Sequence, residues 1–299
     1  MKVKNLKGDI FGGLTAGIVA LPLALAFGVQ SGMGASAGLY GAMVLGFLAA
    51  IFGGTPTQIS GPTGPMTVVS ATIIAMGIST YGNLENAFGV ILLTFMMAGL
   101  FQIVFGLLKI GKYVKFIPYS VLSGFMSGIG IIIIFYQFFP VLGLSSPNKM
   151  IQVILQIPNA FSQSNLISVI IAISTILIIY LFPKITKALP STLVALLASS
   201  FAAYFFKLDL PLIGEMPQGL PSLQINAFAD INLSDINLAL IPAITLAGLG
   251  TIDSLLTSVV ADNVTRSKHN SNKELIGQGI GNMAASMIGG IPGAGATMR

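Results

Sequence analysis

Long apolar runs alternate along the chain with short clusters of charge. No residue between Asp9 and Glu85 is charged, and further uncharged stretches run 86–108, 116–148, 150–183, 188–206, 236–252 and 275–298. A helix needs about 20 residues to cross the hydrocarbon core of a bilayer. The pattern predicts helical crossings at 10–29, 36–52, 88–108, 116–138, 166–182, 190–206, 237–261 and 274–290, with two shorter elements between or after them.

The shorter elements follow a repeated break. The segment Gly46 to Pro56 carries Gly46, Ala49-Ala50, Gly53-Gly54 and Pro56. The order returns as Gly281, Ala284-Ala285, Gly289-Gly290 and Pro292, with one residue inserted before the glycine pair. Each copy ends an apolar helix and runs into a Gly/Pro/Thr stretch. Such paired interruptions mark inverted-repeat transporters with discontinuous helices, although glycine-rich helix ends also look alike for packing reasons.

Past the first break, Thr55, Thr57, Gln58, Ser60 and Thr63 are interleaved with Pro56, Pro62 and Pro65. The prolines remove backbone donors, so this stretch cannot face lipid and must line protein or water. Met66 to Ser79 then reads as a half-helix of about 21 Å, short of the roughly 30 Å core. A helix starting inside the membrane presents unpaired amides and about half a positive charge, which suits an anion. A second half-helix starting near Gly295 and pointing at the first brings the sum to about one charge. Thr63, Thr67 and Thr297 are the hydroxyls placed to bond the anion, and an internal bond to the i−4 carbonyl is an equal alternative for each. Arg299, in the first turn of that second half-helix, would add positive charge.

Composition fixes the solvent. Only 8% of the 299 residues are charged, 54% are hydrophobic and mean hydropathy is +0.90, whereas soluble domains carry about 25% charge. The chain is therefore an all-α polytopic membrane protein. It has no cysteine and one histidine, His269, which excludes disulfides and thiolate or histidine-cluster metal sites, and no cofactor is expected. The net charge of +5 is membrane asymmetry rather than a nucleic-acid footprint. With a cytoplasmic N-terminus, eleven basic residues fall inside (Lys2, Lys4, Lys7, Lys109, Lys112, Lys115, Lys184, Lys187, Arg266, Lys268, Lys273) and two outside (Lys149, Lys207). That count requires an odd number of crossings between Asp9 and Glu85, which the half-helix supplies. The basic start resembles a secretion signal, but its apolar run is long and no A-x-A site follows, so it is read as a retained first helix. Residues 207–236, with Asp209, Glu215, Asp230 and Asp235, read as an irregular outside connector. The expected location is a bacterial plasma membrane.

Asp253 is the one ionisable residue inside the crossing 237–261, where insertion costs on the order of 2.5–3.5 kcal/mol. Thr257 follows at i+4 on the same face. Together with carbonyls of an unwound stretch at Gly295 and Ala296 they form a hard-oxygen set suited to Na⁺. A protonated Asp253 coupled to H⁺, or a pair with Arg299, are the competing readings. Pro22 and Gln30 in the first helix could shape a pocket wall, with core packing as the alternative. The G-x-x-x-G pairs Gly13/Gly17, Gly28/Gly32 and Gly277/Gly281 read as packing within the molecule. Enzyme classes find no support: H-E-x-x-H and a Walker loop are absent, and one membrane aspartate does not make an aspartyl protease.

Six stretches, Gly8 to Ala16, Ala20 to Gly28, Phe52 to Thr67, Ile252 to Ser258, Glu274 to Asn282 and Pro292 to Arg299, resemble the sulfate permease (SulP) family, bacterial relatives of the solute carrier 26 anion transporters, and most closely its BicA-type sodium-dependent bicarbonate transporters. The resemblance implies a seven-plus-seven inverted-repeat fold with core and gate domains, the anion lying between the third and tenth helices. It implies anion contacts at Thr63 and around Ala296 and Thr297, and a sodium site from Asp253, Thr257, Gly295 and Thr297. Bicarbonate uptake coupled to sodium is expected first; sulfate transport or a channel-like mode of the same family is the alternative. On this reading 1–206 is the first repeat, 207–236 the extracellular loop and 237–299 an incomplete second repeat, with four further helices and a STAS domain missing beyond a truncated tenth element. The expected partners are the anion, Na⁺ and lipid, no nucleic acid, and a second copy in a full-length homodimer.

Overall fold

The computed structural model describes residues 6–116, 118–147, 150–186, 189–212, 221–229 and 231–296. Ten α-helices and two short strands are found among them. The helices are α1 (Leu6–Ser31), α2 (Ala35–Phe52), α3 (Gly64–Tyr81), α4 (Leu84–Leu107), α5 (Tyr119–Val141), α6 (Met150–Ser162), α7 (Leu166–Ile185), α8 (Ser191–Phe205), α9 (Leu233–Thr265) and α10 (Ser271–Met287). The strands are β1 (Ile59–Gly61) and β2 (Ala294–Ala296). Six helices, α1, α2, α3, α4, α7 and α9, are long and apolar enough to cross a membrane by length and composition. The eight predicted crossings match α1, α2, α4, α5, α7, α8, α9 and α10 within a few residues.

Four features differ from expectation. The predicted half-helix 66–79 is an 18-residue helix of about 27 Å, α3. It starts two residues earlier because Pro65 occupies the first turn, where a missing N–H goes unnoticed, and it ends two residues later against Gly82 at φ +89°. The predicted connector after α5 contains α6, 13 residues and too short to cross. Its Pro158 and mixed Gln/Asn content hid it, but Val153 and Ala160 are buried beneath exposed Ile151, Leu155 and Phe161. Residues 110–116 and 225–228 form short 3₁₀ turns rather than plain loop. Finally, α10 stops at Met287 because Gly289 takes φ +76°.

The described chain forms two compact units. One contains the chain up to Pro22 together with Gly130 onward through α8. In it Phe139, Leu142, Val153 and Ala160 make a small core, and α7 meets α8 through Thr175 Oγ1 and Ser199 Oγ at 2.7 Å. Asn165 caps α7, accepting from the N–H groups of Ile167 and Ser168. Ile173, Ile176, Leu177, Tyr180 and Leu181 of the same helix are exposed, a face that only lipid solvates cheaply.

The other unit runs from Leu23 to Ile129 and resumes with the residues from 221 onward. Its core joins Met66, Ile73 and Ile74 of α3, Ile91, Leu92 and Phe95 of α4, and Ala243, Leu246 and Ala247 of α9. Helix α10 lies against both α2 and α4. Glycines make the seam: a Cβ on Gly290 would come 2.7 Å from the Gly41 N, and one on Gly99 2.7 Å from the Gly279 O. Of the G-x-x-x-G pairs, Gly277/Gly281 lies in this seam against Gly53 and Leu45, and Gly28 meets Gly34 and Gly38, whereas a Cβ on Gly13 or Gly17 would meet nothing within 4 Å among the described residues.

Candidate functional site

The break after α2 is held open by side chains from α9 and α10. Gly53 leaves the helix in extended backbone, and the next two amides, Gly54 and Thr55, donate to Glu274 Oε2 at 2.8 and 2.9 Å. Glu274 is 2% exposed, and its other oxygen accepts from Gln278 Nε2 at 2.8 Å. Thr55 Oγ1 shares a hydrogen bond of 2.8 Å with Ser258 Oγ, and Gln58 Nε2 donates to the Ser254 carbonyl at 3.1 Å and to Thr257 Oγ1. An irregular, proline-rich stretch thus finds partners inside the protein, as its composition demanded.

After Gln58 the chain pairs as β1 with β2, antiparallel, with Ile59 opposite Ala296, Ser60 opposite Gly295 and Gly61 opposite Ala294. The extended stretches before the two predicted half-helices are therefore directly hydrogen-bonded to each other. Asn282 fixes the approach to β2: its Oδ1 accepts from the Gly293 N–H at 2.9 Å, and its Nδ2 donates to the Gly293 O at 3.0 Å and to Gln102 Oε1 at 2.8 Å.

Thr63 is the N-cap of α3, yet its hydroxyl makes no capping bond. Pro65 at the second helical position has no N–H to offer, and Thr63 Oγ1 instead donates to Asp253 Oδ2 at 2.7 Å. By helix geometry the amides of Gly64 and Met66 have no acceptor within α3, so the helix presents its positive end beside this bond. Thr67 is fully buried; its N–H closes the first turn on the Thr63 O at 2.8 Å, while its Oγ1 has no partner among the described residues and makes no i−4 bond.

Asp253, at 3% exposure in the middle of α9, accepts one hydrogen bond, that from Thr63, and meets no basic side chain among the described residues. Thr257 is buried one turn on, as the i+4 spacing predicted. Its hydroxyl donates to the Ser254 O at 2.8 Å and accepts from Gln58. Strand β2 reaches the same turn of α9, where the Gly295 N–H donates to Ser254 Oγ at 3.2 Å.

Of the predicted site residues, the structure gathers Thr63, Thr67, Asp253, Thr257, Gly295 and Ala296 around the start of α3 and the β1–β2 pair. Thr297 and Arg299 lie outside the described residues, so the anion contacts assigned to both, the tenth element and the Asp253–Arg299 pair lie there too. Lys2, Lys4, Lys149, Lys187, Glu215 and Asp230 are likewise outside them. Gln30 Nε2 is buried without a partner among the described residues, and Pro22 lies within α1; neither bonds the site network.

Sequence reasoning placed Gln58 only among the residues lining protein or water and gave no role to Ser254, Ser258, Glu274, Gln278 and Asn282. A signal for the last three existed. Glu274, Gln278 and Asn282 are spaced i, i+4, i+8 in a stretch whose other residues, Leu275 to Ala285, are apolar or glycine, a polar stripe that must face protein. Ser254 and Ser258 repeat the same spacing beside Asp253 and Thr257. Chemically, the arrangement offers a buried carboxylate and hydroxyl, carbonyl and amide oxygens next to a helix N-terminus.

Comparison with known proteins matches the family model described as the sulfate permease family over residues 6–299. The chain is 50% identical over 301 residues to the bicarbonate transporter BicA of Picosynechococcus sp., covering 99% of this chain and 53% of that protein. It is 51% identical over 299 residues to BicA of Synechocystis sp., covering 99% of this chain and 52% of the relative. The chain thus spans about half the length of the curated relatives it matches. The solved transmembrane domain of a cyanobacterial bicarbonate transporter BicA superposes with a TM-score of 0.90 at 50% identity, covering 100% of this chain and 76% of that one.

Proposed function

The chain belongs to the sulfate permease family, and on that premise we propose that it serves secondary active uptake of an inorganic anion, bicarbonate, coupled to sodium, from a bacterial plasma membrane with the N-terminus in the cytoplasm. The observation that carries the reading is the 2.7 Å bond from Thr63 Oγ1 to Asp253 Oδ2. It joins the residue at the N-terminal boundary of α3, whose positive end would attract the anion, to the residue that would hold the cation.

Coupling follows from that one proton. The Thr63 hydroxyl can donate to Asp253 or to an anion at the start of α3, not to both at once. A bare carboxylate also repels the anion: two like charges about 5 Å apart at an effective dielectric near 20 oppose each other by about 3 kcal/mol. Sodium at Asp253 and Thr257, completed by Gly295, Ala296 and Thr297, cancels that repulsion and competes for the carboxylate, releasing the hydroxyl to the anion. The anion then gains the α3 amides, Thr63, Thr67, the backbone near Ala296 and Thr297, and the charge of Arg299. Cation and anion bind cooperatively, and a shift of the loaded core exposes both to the other side.

Labelled bicarbonate uptake into vesicles carrying the full-length protein, with and without an inward sodium gradient, tests this directly. Uptake is expected to need the gradient; sodium-independent sulfate uptake in its place overturns it.

A further inference from the structure

Gln58 stands between the cation set and the strand pair, and its amide orientation is determined by its neighbours. The Ser254 carbonyl can only accept, and Thr257 Oγ1 has already given its single proton to that carbonyl at 2.8 Å. Neither oxygen can donate to Gln58, so the amide faces them with its NH₂, which donates to each, while Gln58 Oε1 lies 2.9 Å from Ser258 Oγ, whose single proton is shared between it and the Ser254 carbonyl at 2.8 Å. The amide also packs on the Gly295 backbone so closely that a Cβ there would coincide with it. The NH₂ group, carrying partial positive charge, thus holds an oxygen that the sodium reading assigns to the cation and covers the backbone of a second assigned residue.

Resting on that reading, we propose that Gln58 is a switchable member of the cation site: its NH₂ stands in for sodium on Thr257 and Ser254, and on sodium binding the amide turns to present Oε1 as a ligand. An N–H dipole aimed at Thr257 Oγ1 and the Ser254 carbonyl repels a cation on the same two oxygens, so entry of the ion favours displacement of the NH₂. The terminal amide torsion of glutamine is broad and two-fold, so the turn needs no backbone movement. Because Gln58 immediately precedes β1, whose Ser60 pairs with Gly295, the turn is felt where β1 leads to Thr63. Cation occupancy is thereby read by the segment that carries the anion contacts.

The test uses the full-length protein with two substitutions and two readouts: sodium-dependent thermal stabilisation of the purified protein, and the sodium dependence of bicarbonate uptake in vesicles. Gln58→Met keeps length and removes both polar atoms; the half-saturating sodium concentration is expected to rise about tenfold or more, the usual effect of removing a group that orients or completes a metal site. Gln58→Glu offers an oxygen with no NH₂ to displace, and its half-saturation is expected at or below that of the parent protein. A purely structural pin predicts the opposite pattern: both variants lose stability without sodium while the sodium midpoint stays put, and that result overturns the proposal. So does a glutamate variant as weak as the methionine one. Should the methionine variant not fold, the glutamate variant decides alone. A parent protein indifferent to sodium in both readouts instead overturns the sodium reading itself, which no outcome at Gln58 can do.

Discussion

Removal of the Glu274 carboxylate isolates the energy that holds the first break open. In Glu274→Ala, the N–H groups of Gly54 and Thr55, bonded at 2.8 and 2.9 Å, lose their shared acceptor, and Gln278 keeps only Ser60. Each hydrogen bond to a charged group contributes about 1.5–3 kcal/mol net, and an orphaned buried donor costs about 1–3 kcal/mol. Both amides belong to half-buried residues that water can partly reach, and the carboxylate's own desolvation is recovered. The expected loss is therefore about 2–4 kcal/mol rather than the full sum. Glu274→Gln is a sharp control. One amide oxygen can still take both N–H groups, and the new NH₂ can bond Gln278 Oε1, which is buried without a partner among the described residues, once the Gln278 amide turns. That variant should lose less than the alanine variant, because both N–H groups keep an acceptor. Equilibrium unfolding in mixed micelles, followed by circular dichroism, measures both. Equal stability for alanine and parent, or equal losses for alanine and glutamine, refutes the assignment of this carboxylate as the clamp.

Three further outcomes follow from the same geometry. Thr63→Val removes the hydroxyl that bonds Asp253 and that would be released to the anion, and the lost charge-assisted donor, about 1.5–3 kcal/mol, should lower bicarbonate uptake by the full-length protein tenfold or more, whereas Thr63→Ser stays near the parent in the same assay. Gly277→Ala places a methyl 2.5 Å from the Gly53 Cα, where both sides are backbone, and should cost about 1–3 kcal/mol in the unfolding assay; Gly248→Ala, which meets nothing within 4 Å, should be near neutral. Asn282→Ala releases both polar groups of Gly293 and should cost about 1–3 kcal/mol; Asn282→Asp can still accept from the Gly293 N–H but sets its other oxygen against the Gly293 and Gln102 oxygens, so it does not restore the parent stability.

The sequence alone determined the solvent, the approximate ends of eight of the helices, and the place of the first break, because each depends on local chemistry. Charge-free runs must be in lipid, and a Pro-Thr-Gly stretch cannot be. It also singled out Asp253, since an acid in an apolar span is anomalous wherever it points. Its errors were local competitions: Pro65 extends α3 instead of delaying it, and α6 is amphipathic but too short and too polar for a search tuned to crossings. What tertiary structure decided is which groups meet. The 190 residues separating Thr63 from Asp253, and the 199 separating Gln58 from Thr257, leave no trace in any periodicity. Those bonds exist because the glycine contacts between α2 and α10 bring two broken segments close enough for β1 and β2 to pair, which sets the first of them against the side chains of α9 and α10.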